Sequence, residues 1–387
     1  MQSTITSIEH YFSTRKRTEK FCQPLSIEDY TPQVVEHASP IKWQLGHTTW
    51  FFETFLLNKH LKGYECFNKQ FNFLFNSYYN NVGKRIARNH RGVLTRPSVE
   101  EVYKYRHYVD RHIELLFSQE VTPELHELLT TGIHHEEQHQ ELMYTDLKLM
   151  FYHHPFKTTY EKGGSLLLDS NNSALEWIDI KEGVYNIGHE GTEFCYDNEL
   201  GRHKTYINSF SICSHLVTNE EYMAFINDGG YKKFEYWLDE GWAWVQNNNI
   251  TQPLYWEEID GKWYEFTYGG DQRLHPQGIL AHINFYEADA FARWKGMRLP
   301  TEFEWEVAAQ QFEWGKRWEW TNSAYLPYPN FKTAEGALGE YNGKFMINTM
   351  VLRGASVATS PNHSRITYRN FFHPHFRWQY TGIRLVK

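Results

Sequence analysis

The chain contains His135-Glu136-Glu137-Gln138-His139, which satisfies the H-E-x-x-H pattern of zinc peptidases. Four apart on a helix, His135 and His139 project from one face and can meet a single cation. The chain also holds 21 histidines, so such a pair can equally be two solvated or merely hydrogen-bonded residues. A metal needs a third ligand. Peptidases of this pattern supply it downstream, yet TDLKLMFYHHPF offers no H-x-x-G-x-x-H continuation. Upstream, His47 lies in WQLGHTTWFFE. Among Trp and Phe it can be a core histidine satisfied by one hydrogen bond, or the third corner of a facial site built from two segments. Three neutral imidazoles leave coordination positions open and suit Zn, Cu, Fe and Ni alike, so ligand type does not choose the metal.

Helices must position these groups. SPIKWQLGHTTWFFETFLLNKHL opens with Ser39 as an N-cap and Pro40 at the first helical position, then repeats apolar residues at Trp43, Trp50, Phe51, Phe55 and Leu56. SVEEVYKYRHYVDRHIELLFSQ begins with Ser98 and Glu101 in capping-box spacing. TPELHELLTTGIHHEEQHQELMYTDLKLMFY makes one or two further helices, and another is expected near the N-terminus, giving the four of an antiparallel bundle. After a Gly/Ser/Asn-rich stretch the texture changes. Short β-rich runs alternate with turns, interrupted by two helices: TNEEYMAFINDGG, with Thr218 and Glu221 as its capping box, and NFYEADAFARWKG. The fold class is α+β and multidomain.

Composition narrows the function. A formal charge of −8 leaves no basic surplus for a nucleic-acid partner. No run of 18 apolar residues suggests a membrane span, and the N-terminal stretch lacks a signal-peptide core. Four scattered cysteines without a C-x-x-C pair suit a reducing compartment, so a cytoplasmic location is expected. Aromatic residues reach 17%, which suits pockets for flat or cationic ligands as well as a loop-rich core pinned by rings.

Several segments together, in order and spacing, carry a resemblance across nearly the whole chain: FNSYYNNVGKR (residues 75–85), HEEQHQEL, GHEGTEFCYDNELGRHKTYINSFSI, RLPTEFEWEVAA, WEWTNSAYLPYP and TYRNFFHPHFRWQYTGIRL. The chain resembles the non-haem iron sulfoxide synthases of ergothioneine biosynthesis, the EgtB family. The resemblance implies a DinB-like four-helix bundle over residues 1–157 carrying the iron site and a linker over 158–175. Residues 176–387 would be a formylglycine-generating-enzyme-type domain of C-type-lectin-like topology that completes the substrate pocket. It implies Fe(II) held by His47, His135 and His139, with O2 as co-substrate. The small-molecule substrates would be hercynine (N-α-trimethylhistidine) and cysteine or γ-glutamylcysteine, and the product hercynylcysteine sulfoxide. Relatives that use histidine for ovothiol, or a selenium donor, share the pattern, while a zinc peptidase and a lectin-like binding module are rivals from other classes. The second domain has no cysteine pair near its C-terminus, so the copper-dependent oxidation of formylglycine-generating enzymes is not expected.

The resemblance also gives roles to single residues. Gln138 matches a glutamine that hydrogen-bonds the substrate imidazole. Tyr78 and Tyr79 match a pair that supplies a catalytic phenol, neutral at rest and able to donate a proton or hydrogen atom. Arg88 and Arg91 match arginines that grip the carboxylate of the thiol substrate, which a planar guanidinium can do bidentately. Asn370, Phe371 and Phe372 match the wall that holds the betaine. A trimethylammonium has no N–H to donate, so aromatic faces must recognise it.

Overall fold

The computed structural model describes residues 7–77, 79, 82–160, 169–171, 174–333 and 342–387. The chain forms two compact units, one running to Tyr160, the other from Glu161 to Ala334 and from Asn342 to Lys387. Among the described residues no helix is long and apolar enough to cross a membrane.

The first unit is helical: α1 (Ser7–Cys22), α2 (Ile41–Phe52), α3 (Asn58–His60), α4 (Phe71–Phe75), α5 (Val99–Phe117) and α6 (Pro123–His153). The four long helices pack in a closed ring, α1 on α6, α6 on α2, α2 on α5 and α5 on α1. Their starts follow the local chemistry. Ser98 accepts from the Glu101 N–H at 3.1 Å and Glu101 returns a bond from the Ser98 N–H at 2.8 Å, closing the expected box on α5. Thr122 caps α6, with Pro123 in its first turn. The segment expected to give one or two helices is one continuous helix of 31 residues.

Helix α2 differs from expectation at its start. Pro40 has ψ 145°, outside the helix, and is itself the cap, so the helix begins one residue late at Ile41. The Ser39 hydroxyl instead accepts from Arg91 at 2.8 Å. All twelve residues of α2 are buried, the polar Lys42, Gln44, His47, Thr48 and Thr49 included, which puts the helix at the centre of the bundle. It runs on through a π-helical turn, Glu53–Leu57. On α6, a Cβ placed on Gly132 would lie 2.4 Å from the Phe52 ring, so glycine permits the close approach of the two helices that carry the site.

The second unit is a set of small sheets and short helices. Its strands are β1 (Trp177–Ile180), β2 (Gly183–Ile187), β3 (His203–Ile207), β4 (Phe210–Leu216), β5 (Trp256–Ile259), β6 (Lys262–Thr267), β7 (Gly270–Arg273), β8 (Trp318–Ala324), β9 (Met350–Gly354), β10 (Asn370–Phe372), β11 (Thr381–Gly382) and β12 (Arg384–Val386). They pair as β1-β4-β12, β2-β3, β5-β6-β7 and β10-β9-β8-β11. Helices α7 (Asn219–Asn227), α8 (Asp239–Asn248), α9 (Phe285–Trp294) and α10 (Glu302–Ala308) complete it. Thr218, Asn284 and Thr301 each close a capping box with the glutamate three residues on. Its interior mixes rings with paired charges: Arg384 meets Glu319 at 2.6 Å, and Arg353 meets Glu306 at 2.7 Å, all buried. Charges so buried are tolerable only when paired and hydrogen-bonded.

Candidate metal centre

His47 comes from α2, His135 and His139 from successive turns of α6, and the fold brings all three together. Their donor atoms lie within 4.8 Å of one another. Nε2 of His47 is 3.2 Å from Nε2 of His135. Two nitrogens each about 2.1 Å from one ion at near-right or tetrahedral angles would lie roughly 3.0–3.4 Å apart, so this pair is spaced for a shared cation. Ring centroids are 4.9, 4.7 and 4.7 Å apart and the planes cross at 66–77°, turning three edges toward one point.

The outer nitrogens explain why the inner ones are lone pairs. His47 Nδ1 lies 2.6 Å from the Phe75 carbonyl, which can only accept, so Nδ1 carries the hydrogen and Nε2 does not. His139 Nδ1 lies 3.0 Å from Gln44 Oε1, an acceptor as well. Such second contacts are the usual means of orienting an imidazole toward a metal. Burial holds the rings neutral. It pushes His47 and His139 well below the usual imidazole value, His47 lowered further by His135 and His139 by both other histidines, and pulls His135 down to about 3 against the opposing charge of Glu136. Three neutral nitrogen donors facing one point fit a borderline divalent transition metal.

Rings flank His47 and His135. Trp43 and Trp50 stack on His47 at centroid distances of 4.6 and 5.6 Å, and Phe51 stacks on His135 at 4.6 Å. A Cβ on Gly46 would meet the Phe75 ring at 2.2 Å, so glycine beside His47 lets Phe75 come close enough for its carbonyl to reach Nδ1.

Glu136, the base of the peptidase pattern, faces away from this chemistry. Its Oε2 accepts from Arg15 at 2.7 Å, and its Oε1 accepts from Arg106 at 3.0 Å and Thr18 at 2.7 Å. Burial would raise its pKa, but the two guanidinium charges outweigh it and hold the group at about 2. A carboxylate so occupied cannot take a proton from a metal-bound water at neutral pH. The peptidase reading fails here.

The hercynine oxygenase of Mycolicibacterium smegmatis is 30% identical to the chain over 316 residues, covering 66% of this chain and 70% of that protein. The chain belongs to the hercynine oxygenase family. The hercynine oxygenase of Mycolicibacterium thermoresistibile is also 30% identical, over 251 residues, and there the chain spans about half of its relative, 54%. Ergothioneine biosynthesis protein 1 of Schizosaccharomyces pombe is 27% identical over 269 residues, 60% of this chain and 31% of that protein. Residues 166–317 match the family model of the sulfatase-modifying factor enzyme 1-like domain.

The remaining residues singled out from sequence are placed as follows. Gln138 stands on α6 one turn beyond His135. Arg91 is buried, its guanidinium 3.3 Å from the centroid of Trp43, and it donates to Ser39 Oγ and to Ser77 Oγ. Arg88 begins the same 3₁₀ turn (Arg88–Val93) but is exposed. The charges of both arginines help lower His47 and His139. Tyr79 is fully buried between Trp50 and Phe55, at 5.6 and 5.3 Å, and Asn76 braces its backbone through both its N–H and its carbonyl. Tyr78 lies outside the described residues. Asn370, Phe371 and Phe372 form β10 in the second unit, the edge strand of its four-stranded sheet, and Phe371 stacks on Tyr325 at 4.2 Å.

Sequence reasoning missed Gln44, Asp146 and the carbonyl of Phe75. Only Gln44 left a signal: a polar residue one turn before His47 on the same helix.

Proposed function

We propose that this chain joins cysteine to the imidazole carbon of hercynine and oxidises the sulfur with O2, giving hercynylcysteine sulfoxide. The balance needs no further reductant: the thiol S–H and imidazole C–H give up two hydrogens, one oxygen stays on sulfur and the other leaves as water. What carries the reading is the all-imidazole triad of His47, His135 and His139 in a member of the hercynine oxygenase family. The three would hold Fe(II), which when bound supplies O2 activation and a site that favours thiolate over thiol.

In this proposal the chain's own groups do the binding and orientation. Arg88 and Arg91 take the carboxylate of the thiol substrate, and Gln138 hydrogen-bonds the substrate imidazole. The phenol of Tyr78 or Tyr79 donates a proton or hydrogen atom. Phe371 and Phe372 offer aromatic faces to the trimethylammonium, with Asn370 as the polar partner for its carboxylate. Trp43, Trp50 and Phe51 keep bulk water from His47 and His135. The helical unit is then a DinB-like bundle and the second a C-type-lectin-like domain. The four cysteines, free in this structure, suit work in the cytoplasm.

The test is anaerobic reconstitution with Fe(II), exposure to O2, and mass analysis of products from hercynine with cysteine, hercynine with γ-glutamylcysteine, and histidine with cysteine. A cysteine–hercynine sulfoxide as the dominant product is expected. No C–S product from any pair would overturn the assignment.

A further inference from the structure

His139 is oriented by a side chain that is itself oriented. Gln44 Oε1 lies 3.0 Å from His139 Nδ1. The other end of that amide, Nε2, lies 3.2 Å from the Ser39 carbonyl and 3.2 Å from Asp146 Oδ2. Both of those groups accept and neither donates, so the amide nitrogen must face them and the amide oxygen must face His139. The same Asp146 oxygen accepts from the Ser39 backbone N–H at 3.0 Å, which fixes the carboxylate in turn. Gln44 is fully buried and Asp146 nearly so, which leaves water little room to supply a substitute partner.

The arrangement spans both ligand-bearing helices. Gln44 precedes His47 by one turn of α2, and Asp146 follows His139 by two turns of α6. Were the amide reversed, its NH2 would face His139 Nδ1. The ring would then present Nδ1 as acceptor and carry its hydrogen on Nε2, the atom that must be a bare lone pair to ligate.

We propose that Gln44 and Asp146 are positioning residues for the metal centre: Asp146 fixes the direction of the Gln44 amide, and Gln44 fixes His139 in the tautomer whose Nε2 can ligate. The proposal rests on the metal reading of the triad. It extends that reading to two residues that neither the motif nor the resemblance singled out. Partners of this kind, when removed, commonly cost about 10–100-fold in metal affinity.

Two measurements on the full-length, metal-free protein decide it. Long-range ¹H–¹⁵N NMR of the imidazoles, with His139 assigned by loss of its signals in His139→Asn, reads the tautomer without disturbing the network. Co(II), followed by its visible absorption, reads affinity in wild type, Gln44→Leu, Asp146→Asn and His47→Ala. We expect the Nδ1–H tautomer at His139 in wild type, and Co(II) binding weakened about 10–100-fold in Gln44→Leu and measurably in Asp146→Asn. An Nε2–H tautomer at His139 in wild type overturns the proposal whether or not the variants fold. Binding lost in His47→Ala but intact in Gln44→Leu overturns the positioning role and leaves the metal centre standing. Failure of wild type to bind Co(II) removes the metal centre itself.

Discussion

Replacing Glu136 with Gln separates a structural carboxylate from a catalytic one. The folded chain holds this group at about 2 against an ordinary value of 4.5, because the charges of Arg15 and Arg106 more than offset burial. That lowering corresponds to about 3 kcal/mol favouring the ionised form in the folded state. Glu136→Gln keeps the shape but leaves two buried guanidinium groups short of a countercharge, a change of the size seen when one partner of a buried pair is removed, about 3–5 kcal/mol. For a unit of this size we expect a fall in Tm of about 10 °C. The pH dependence has a fixed sign. A native pKa below the unfolded one means the unfolded chain binds more protons, so the stabilisation is complete above 4.5 and is lost as pH falls toward about 2. Urea unfolding of wild type and variant across this range should show a gap that is widest near neutrality and narrows below 4.5. Because the carboxylate faces Arg15 and Arg106, folded Glu136→Gln should bind Co(II) within a few-fold of wild type. Equal stability of the two proteins near neutral pH, or loss of metal binding in a folded variant, would refute the reasoning.

Alanine at His47, His135 or His139 should each lower metal content at least tenfold, measured by elemental analysis after reconstitution, while an exposed control such as His90→Ala should not. Tyr79→Phe or Tyr78→Phe, whichever removes the active phenol, should divert product from the C–S sulfoxide to cysteine sulfinic acid; unchanged product ratios in both would remove the role. Arg88→Leu should raise KM for the thiol far more than for hercynine. Arg91→Leu should do the same and also lower Tm, since Arg91 ties Ser39, Ser77 and Trp43 together. Gly132→Ala should cost about 1–3 kcal/mol in chemical unfolding, because its Cβ would lie 2.4 Å from the Phe52 ring.

The sequence by itself determined what periodicity and local bonding control. The i,i+4 spacing of His135 and His139 places both on one face, because a helix of 3.6 residues per turn allows nothing else. The capping boxes at Ser98 and Thr218 likewise close between residues three apart, and the structure contains them. His47 could be proposed as a third ligand, but 88 residues separate it from His135, and only the packing of α2 on α6 makes them neighbours. The fate of Glu136 was beyond the motif too. Its neighbours in sequence suggest a base, whereas Arg15 and Arg106, from two other helices, claim both oxygens. The acceptors behind His47 and His139 were equally hidden, the carbonyl of Phe75 at the end of α4 and an amide at Gln44 whose direction depends on Asp146. Hydrogen bonds across helices depend on distances set by packing, and no residue spacing along one chain segment encodes them.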